Sequence, residues 1–139
     1  MKKLILLVLL VFSIHVSAQI ENNNWLTDSK VALDASNNQN KPILVFVTNN
    51  DSGTTYDLLN SELFNAKEFK NLSSKIVLLK LDVSNTDQYN KRLAAHYIKH
   101  KQVPALALLD SNGNTIGNAL INVNSESIAT FMSFISTKL

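Results

Sequence analysis

The chain has 139 residues and a mass of 15.4 kDa, a size that suits one domain and leaves little room for a second. Its 13 basic and 11 acidic residues give a formal net charge of +2, and no lysine- or arginine-rich cluster has interleaved aromatic residues, so we expect no nucleic-acid partner. The chain contains no cysteine, which excludes both structural disulfides and thiol–disulfide exchange.

Residues 1–18 have the composition of a secretory signal peptide. A pair of lysines gives a basic start, residues 4–12 form an apolar run too short to span a bilayer, and Ala18 ends a small-x-small cleavage pattern. We therefore expect cleavage before Gln19, a periplasmic or secreted domain of residues 19–139, and no stable membrane insertion after cleavage. The alternative is an uncleaved N-terminal anchor. Both lysines leave with the signal, so 11 basic residues remain against 11 acidic ones.

The mature domain is predicted to begin with a helix and a strand. Residues 25–35 favour a short helix with Thr27 or Asp28 as its N-cap, and residues 36–40 favour a loop. The apolar run at residues 43–47 is short, β-branched and aromatic, and it lies between a proline and a polar loop. This pattern is typical of a buried strand.

A second helix and a second strand follow. From Thr54 onward apolar residues recur at helical spacing, and residues 65–72 continue the helix after a bend. Residues 75–83 are apolar nearly throughout, which is typical of a central strand that is covered on both faces. A third helix is predicted over residues 86–97, with Tyr89 on its apolar face.

The C-terminal part predicts a hairpin and a last helix. After a basic connector at residues 98–102, a strand at 105–109 is joined through an Asn-Gly turn to a strand at 115–121. Asn124 or Ser125 caps the final helix. Right-handed crossovers make the first two strands parallel, whereas the hairpin is antiparallel. The sequence therefore predicts an α/β domain with a mixed four-stranded sheet and helices on both faces.

Six short segments carry a resemblance to a known family: Trp25 followed by Ala32, KPILV at 41–45, ELF at 62–64, LKLDV at 79–83, Val103-Pro104, and LDSNG at 109–113. In this order and spacing they resemble the secreted thioredoxin-like proteins, above all the branch related to the periplasmic C-terminal domain of the DsbD-type reductase. The resemblance covers nearly the whole mature chain. It implies a thioredoxin-like fold and a cis peptide bond between Val103 and Pro104 that faces the active-site loop.

The active-site loop of this chain departs from the family pattern. Where the family has Trp-Cys-x-x-Cys, this chain has a degenerate loop of Asp51, Ser52, Gly53, Thr54, Thr55 and Tyr56. Counting forward from Pro42 puts the lost cysteines at Ser52 and Thr55, whereas counting back from Phe64 puts them at Gly53 and Tyr56. A hydroxyl cannot replace the thiolate that disulfide exchange requires, so thioredoxin-type redox catalysis is excluded. The family-based arrangement directs Tyr56 toward Pro104; the alternative is that Tyr56 packs on its own helix.

The remaining polar residues admit other interpretations. Ser52 could act as a nucleophile with His96 or His100 as base, but no ordered triad is visible, and loop and capping roles explain the hydroxyls more simply. The two histidines are four residues apart, a spacing that permits zinc binding, but a third ligand is not evident. Asp82 and Asp110 lie at strand ends, where turn and capping roles suffice.

We expect no catalytic residue, no metal and no cofactor. The leading hypothesis is a non-catalytic module that binds an extended peptide or protein partner at Val103, Pro104 and the loop of residues 51–56, by a form of strand addition that needs no cysteine. One alternative is an enzyme of non-redox chemistry that uses the loop. The other is a purely structural exported domain.

Overall fold

The computed structural model describes residues 24–51, 53–85 and 87–139. The predicted signal peptide, Ser52 and Thr86 lie outside the described residues. The helices are α1 (Ser29–Gln39), α2 (Thr54–Leu58), α3 (Lys67–Ser73), α4 (Gln88–Ile98) and α5 (Ser125–Ser136), and a π-helical segment (Leu59–Phe64) continues α2. The strands are β1 (Ile43–Thr48), β2 (Val77–Asp82), β3 (Ala105–Leu109) and β4 (Thr115–Leu120).

The four strands form one mixed sheet in the order β2-β1-β3-β4. β1 pairs with β2 in parallel and with β3 antiparallel, so that Val45 lies between Leu79 and Ala107. β3 and β4 pair antiparallel. The predicted α/β fold with a mixed four-stranded sheet is confirmed.

β2 is an outer strand of this sheet, and the prediction of a central position for it was wrong. Its side chains are buried because helices cover both faces of the sheet, and the chain before α1 also covers its outer edge. Leu26 bridges to Leu79, with hydrogen bonds of 2.8 Å from the Leu26 N–H to the Leu78 carbonyl and from the Lys80 N–H to the Leu26 carbonyl. A continuously apolar strand therefore reports coverage of both faces and not its place in the sheet.

Helices cover both faces of the sheet, and β1 is buried at all six positions between them. α1 and α4 pack on the face to which Val45 and Val47 point. The segment from α2 to α3 packs together with α5 on the opposite face, around Leu44 and Phe46. Within the described part of the chain, no helix has the length and apolar composition needed to cross a bilayer.

Two helices differ from their predicted bounds. Asp28 caps α1 by accepting hydrogen bonds from the N–H groups of Lys30 and Val31, so this helix begins at Ser29 and not at residue 25. It also runs through the predicted loop at 36–40, because Ser36 is fully buried on its inner face. α4 buries Ala94, Tyr97 and Ile98, whereas the side chain of Tyr89 is 54% exposed; its predicted place on the apolar face was wrong.

The turn between β3 and β4 is built around the Asp110 carboxylate. It accepts hydrogen bonds from the N–H groups of Asn114 (2.8 Å) and Asn112 (2.9 Å) and from the Asn114 amide nitrogen (3.1 Å). These bonds, those from Asn114 above all, lower the pKa of Asp110 below its ordinary value. Gly113 has a φ of 84°, but Asn112 does not have a positive φ, so only one of the two predicted left-handed residues is present.

Candidate functional site

The loop between β1 and α2 is closed by the hydroxyl of Tyr56. This hydroxyl donates to the Asn49 side-chain oxygen (3.1 Å), accepts from the Asn49 N–H (3.1 Å), and is hydrogen-bonded to the buried hydroxyl of Thr48. The Tyr56 ring lies 6.1 Å from the ring of Phe46, between centroids, in an edge-to-face arrangement. Tyr56 therefore lies against the end of β1, and its predicted projection toward Pro104 stays a prediction.

The same loop is tied to the end of β2. Asn50 has a φ of 59°, its N–H donates to the Thr48 hydroxyl (2.9 Å), and its side-chain amide donates to the Asp82 carboxylate. Asp82 also accepts from the hydroxyl (2.6 Å) and the N–H (2.8 Å) of Ser84. The bonds from Ser84, and then the one from Asn50, lower the pKa of Asp82 below its ordinary value. Asp82 thus holds a turn and a loop together, as its position at a strand end predicted.

The other residues of the degenerate loop have different surroundings. Asp51 is exposed and exchanges hydrogen bonds with Asn49. Gly53 is the N-cap of α2 and has extended backbone (φ 174°), a conformation that does not require glycine. Thr54 is exposed and Thr55 is half-buried. Ser52 lies outside the described residues, so its predicted roles stay predictions.

Among the described residues of this loop, Thr55 lines the same depression as Pro104. The Val103–Pro104 peptide bond is cis, Pro104 is buried and Val103 is half-buried. A depression of about 350 Å³ lies beside this bond, which we call the Pro104 depression. It is lined by Thr55, Gln102, Val103, Pro104, Ile121, Asn122, Val123 and Asn124. Its lining is uncharged, and it can take a small polar or apolar side chain.

Val103 lines this depression, and its backbone precedes the first strand residue of β3. None of the hydrogen bonds between described residues uses its N–H or its carbonyl group. β3 begins only at Ala105, so Val103 precedes the sheet ladder. Because buried or half-buried backbone groups need hydrogen-bond partners, these two are suited to an external strand or to solvent.

The two histidines do not share a helical face. His96 is in α4, whereas Lys99 has left-handed backbone (φ 60°) and ends the helix before His100. Among the residues that the structure describes, no group of three or more histidine, aspartate or glutamate side chains could hold a metal.

Sequence reasoning missed two parts of this site. Thr48 and Asn49 had no predicted role, although they are the partners of Tyr56. The far wall, from Ile121 to Asn124, was interpreted only as a joining loop. No local sequence pattern indicates either part, because both depend on contacts between segments that are distant in the chain.

The comparisons with known proteins agree with this geometry. The sequence model of the Thioredoxin-like family matches residues 24–111. The chain therefore belongs to the thioredoxin-like family, and it is a member without cysteine. A comparison with curated protein sequences gives no match.

Solved structures show the same fold. The DsbH oxidoreductase has 21% identity and a TM-score of 0.62, over 81% of this chain and 83% of its own. A disulphide isomerase from Xylella fastidiosa Temecula1 has 24% identity and a TM-score of 0.60, over 82% and 98%. A thioredoxin from Thermus thermophilus has 12% identity and a TM-score of 0.62, over 81% and 86%. At these identities the likeness concerns the fold alone.

Proposed function

We propose that this chain is an exported, non-catalytic thioredoxin-like module that binds an extended segment of a protein partner beside Val103 and Pro104. Redox catalysis of the kind named for the DsbH oxidoreductase is excluded for this chain, because it has no cysteine. The observation that carries the proposal is the Val103 backbone, which stands at an open depression and is not used by any hydrogen bond between described residues.

In this proposal the partner binds by strand addition. An extended peptide that lies along Val103 donates to its carbonyl and accepts from its N–H, and one peptide side chain enters the Pro104 depression. Main-chain hydrogen bonds supply affinity, and the depression supplies selectivity. The β1–α2 loop contributes the wall at Thr55, and its remaining polar groups stabilise the loop itself.

The test uses the substitution Thr55→Trp, which places an indole in the Pro104 depression. Titration of the mature protein into a fluorescein-labelled extended peptide, Gly-Thr-Gln-Thr-Gln-Thr-Gln-Thr-Gly, measures binding by fluorescence polarisation. We expect wild type to bind and Thr55→Trp to bind at least about tenfold more weakly, since a filled pocket excludes the peptide side chain. Thr54→Trp is the matched control, because Thr54 is exposed on the same turn and does not line the depression. Equal binding by wild type and Thr55→Trp would contradict the proposal.

Tyr56 is not a suitable position for this test. Tyr56→Ala would remove the hydroxyl that closes the loop and the ring that packs on Phe46. A loss of binding would then report a disturbed loop and not a lost contact with peptide.

Export has its own test. Expression of the full chain in a Gram-negative host, followed by mass spectrometry of the periplasmic fraction, should give a mature protein that begins at Gln19. A protein that retains Met1 and stays with the membrane fraction would support the uncleaved anchor instead.

A further inference from the structure

A second depression lies on the other side of Val103. It also measures about 350 Å³, lies between the end of α4 and the ends of β1 and β2, and we call it the α4 depression. Its apolar floor consists of Val47, Val83, Ala94, Ile98 and Val103. Gln102 and Val103 line both this depression and the Pro104 depression. A segment that binds along Val103 is therefore next to both depressions.

The two depressions differ in charge. Lys91, His100 and Lys101 stand at the α4 depression, and all three are exposed, whereas the lining of the Pro104 depression is uncharged. The excess of positive charge extends beyond the lining. Between Gln88 and Leu109 the sequence has four lysine or arginine residues and no aspartate or glutamate. The exposed lysines at the rim attract a ligand of negative charge and raise its association rate, although Asp82 and Asp87 lie beside this range.

An extended peptide matches this asymmetry. Its successive side chains point to opposite sides at intervals of ~3.3 Å, so every second residue faces the same depression. A glutamate is suited to the α4 depression, because its methylene groups can cover the valines of the floor while its carboxylate reaches the lysines at the rim. A small uncharged residue is suited to the Pro104 depression.

We propose that the partner segment is acidic at alternate positions, with glutamate side chains in the α4 depression and small uncharged side chains in the Pro104 depression. This inference rests on the proposed peptide-binding function and specifies the chemistry of the partner. It commits to a protein segment, since extended main chain is what the Val103 backbone can pair with.

Three labelled peptides test the inference. They share the frame Gly-Thr-x-Thr-x-Thr-x-Thr-Gly, with glutamate, glutamine or lysine at each x. We expect the glutamate peptide to bind at least about tenfold more tightly than the glutamine peptide at low salt, and the lysine peptide to bind most weakly. The advantage of glutamate should shrink as salt rises to about 0.5 M, because exposed charges are screened.

Two pairs of substitutions locate the effect. Lys91→Gln with Lys101→Gln should abolish the preference for the glutamate peptide over the glutamine peptide. Lys67→Gln with Lys70→Gln removes two exposed charges from α3, away from both depressions, and should not change this preference.

The outcomes separate the inference from the proposed function. Equal affinity for the glutamate and glutamine peptides would overturn the inference and leave the proposed function standing. No binding of any peptide would overturn the proposed function, and the inference with it. Glutamate-peptide binding that survives Thr55→Trp, or an equally tight complex with a labelled single-stranded thymidine oligonucleotide, would show non-specific attraction to the basic surface and overturn the inference.

Discussion

The two segments that meet at the Pro104 depression have opposite organisation. In the loop at residues 48–56, the side chains of Thr48, Asn49 and Tyr56 bind one another, and Tyr56 closes the set against β1. In the connector at residues 99–104, the cations are exposed and the Val103 backbone is not used by hydrogen bonds between described residues. The comparison supports the division of roles that we propose: the β1–α2 loop is held by its own hydrogen bonds, and the connector is the surface for recognition.

The largest expected effect is the loss of unfolding free energy when Phe46, which lies under the β1–α2 loop, is truncated. Phe46 is 7% exposed and contacts the rings of Trp25, Tyr56 and Phe64. Phe46→Ala should lower the free energy of unfolding by about 3–5 kcal/mol, because it leaves a cavity under the loop. Urea denaturation followed by circular dichroism measures it. Val103→Ala, in the half-buried connector, is the comparison and should lose less than about 1.5 kcal/mol. Equal losses of unfolding free energy in the two variants would contradict the claim that Phe46 stabilises the fold more than Val103 does.

A smaller effect is expected when only the loop's closing hydroxyl is removed. Tyr56→Phe keeps the ring on Phe46 but deprives Thr48 and Asn49 of a partner, so the free energy of unfolding should fall by about 1–2 kcal/mol. Peptide affinity should stay within about twofold of wild type, since Tyr56 does not line the Pro104 depression. Tyr89→Phe is the matched control, with a half-exposed hydroxyl bonded to Ser29, and should lose less. A large loss of peptide binding in Tyr56→Phe would place the loop in recognition after all.

The link between the loop and β2 should depend on pH. The pKa of Asp82 is lowered in the folded protein, so its carboxylate stabilises the fold above its unfolded-state pKa, and this stabilisation is lost as the pH falls through the folded-state pKa. Asp82→Asn should therefore lower the urea midpoint at about pH 7 and match wild type near about pH 2. Asp34→Asn, at an exposed position of α1, should leave the midpoint unchanged. A deficit in Asp82→Asn that persists at low pH would mean that the carboxylate charge is not its cause.

The smallest effect tests the start of α2. Gly53 has extended backbone, and a Cβ there meets no atom within 4 Å. Gly53→Ser should raise the free energy of unfolding by about 0.5 kcal/mol, since serine can cap the helix and restricts the unfolded chain. Gly117→Ser is the contrast, because φ is 66° there and a Cβ would lie 2.5 Å from the Phe134 ring; this variant should be destabilised. Destabilisation by Gly53→Ser would mean that the loop needs a glycine.

Local patterns predicted most of the fold. β1 and β3 follow from short apolar runs with turn residues beside them, and Asn124 caps α5 as its position predicted. The errors arose where distant segments meet. The predicted cap Asp28 does begin α1, but the strand-like pairing of Leu26 with the edge of β2 was missed, because no local pattern encodes it.

The candidate site was predictable only in part. The resemblance located Val103, Pro104 and the cysteine-free loop, since these depend on the order of motifs in the chain. The hydrogen bonds of Tyr56 were not predictable, because its hydroxyl is bound by Thr48 and Asn49 across the loop. The α4 depression was not predicted either, because its floor combines residues from β1, α4 and the connector.

The most direct test of the central claim is a titration of the ¹⁵N-labelled mature protein with the glutamate peptide, followed by ¹H–¹⁵N correlation spectra. The account predicts that the amide signals of Lys101, Gln102 and Val103 shift and that the Val103 amide becomes protected from solvent exchange, because it pairs with the peptide. The amide signals of Asn49 and Asn50 should not shift, since both N–H groups already donate hydrogen bonds within the loop. Shifts concentrated in Asn49 and Asn50, with Val103 unchanged, would contradict it.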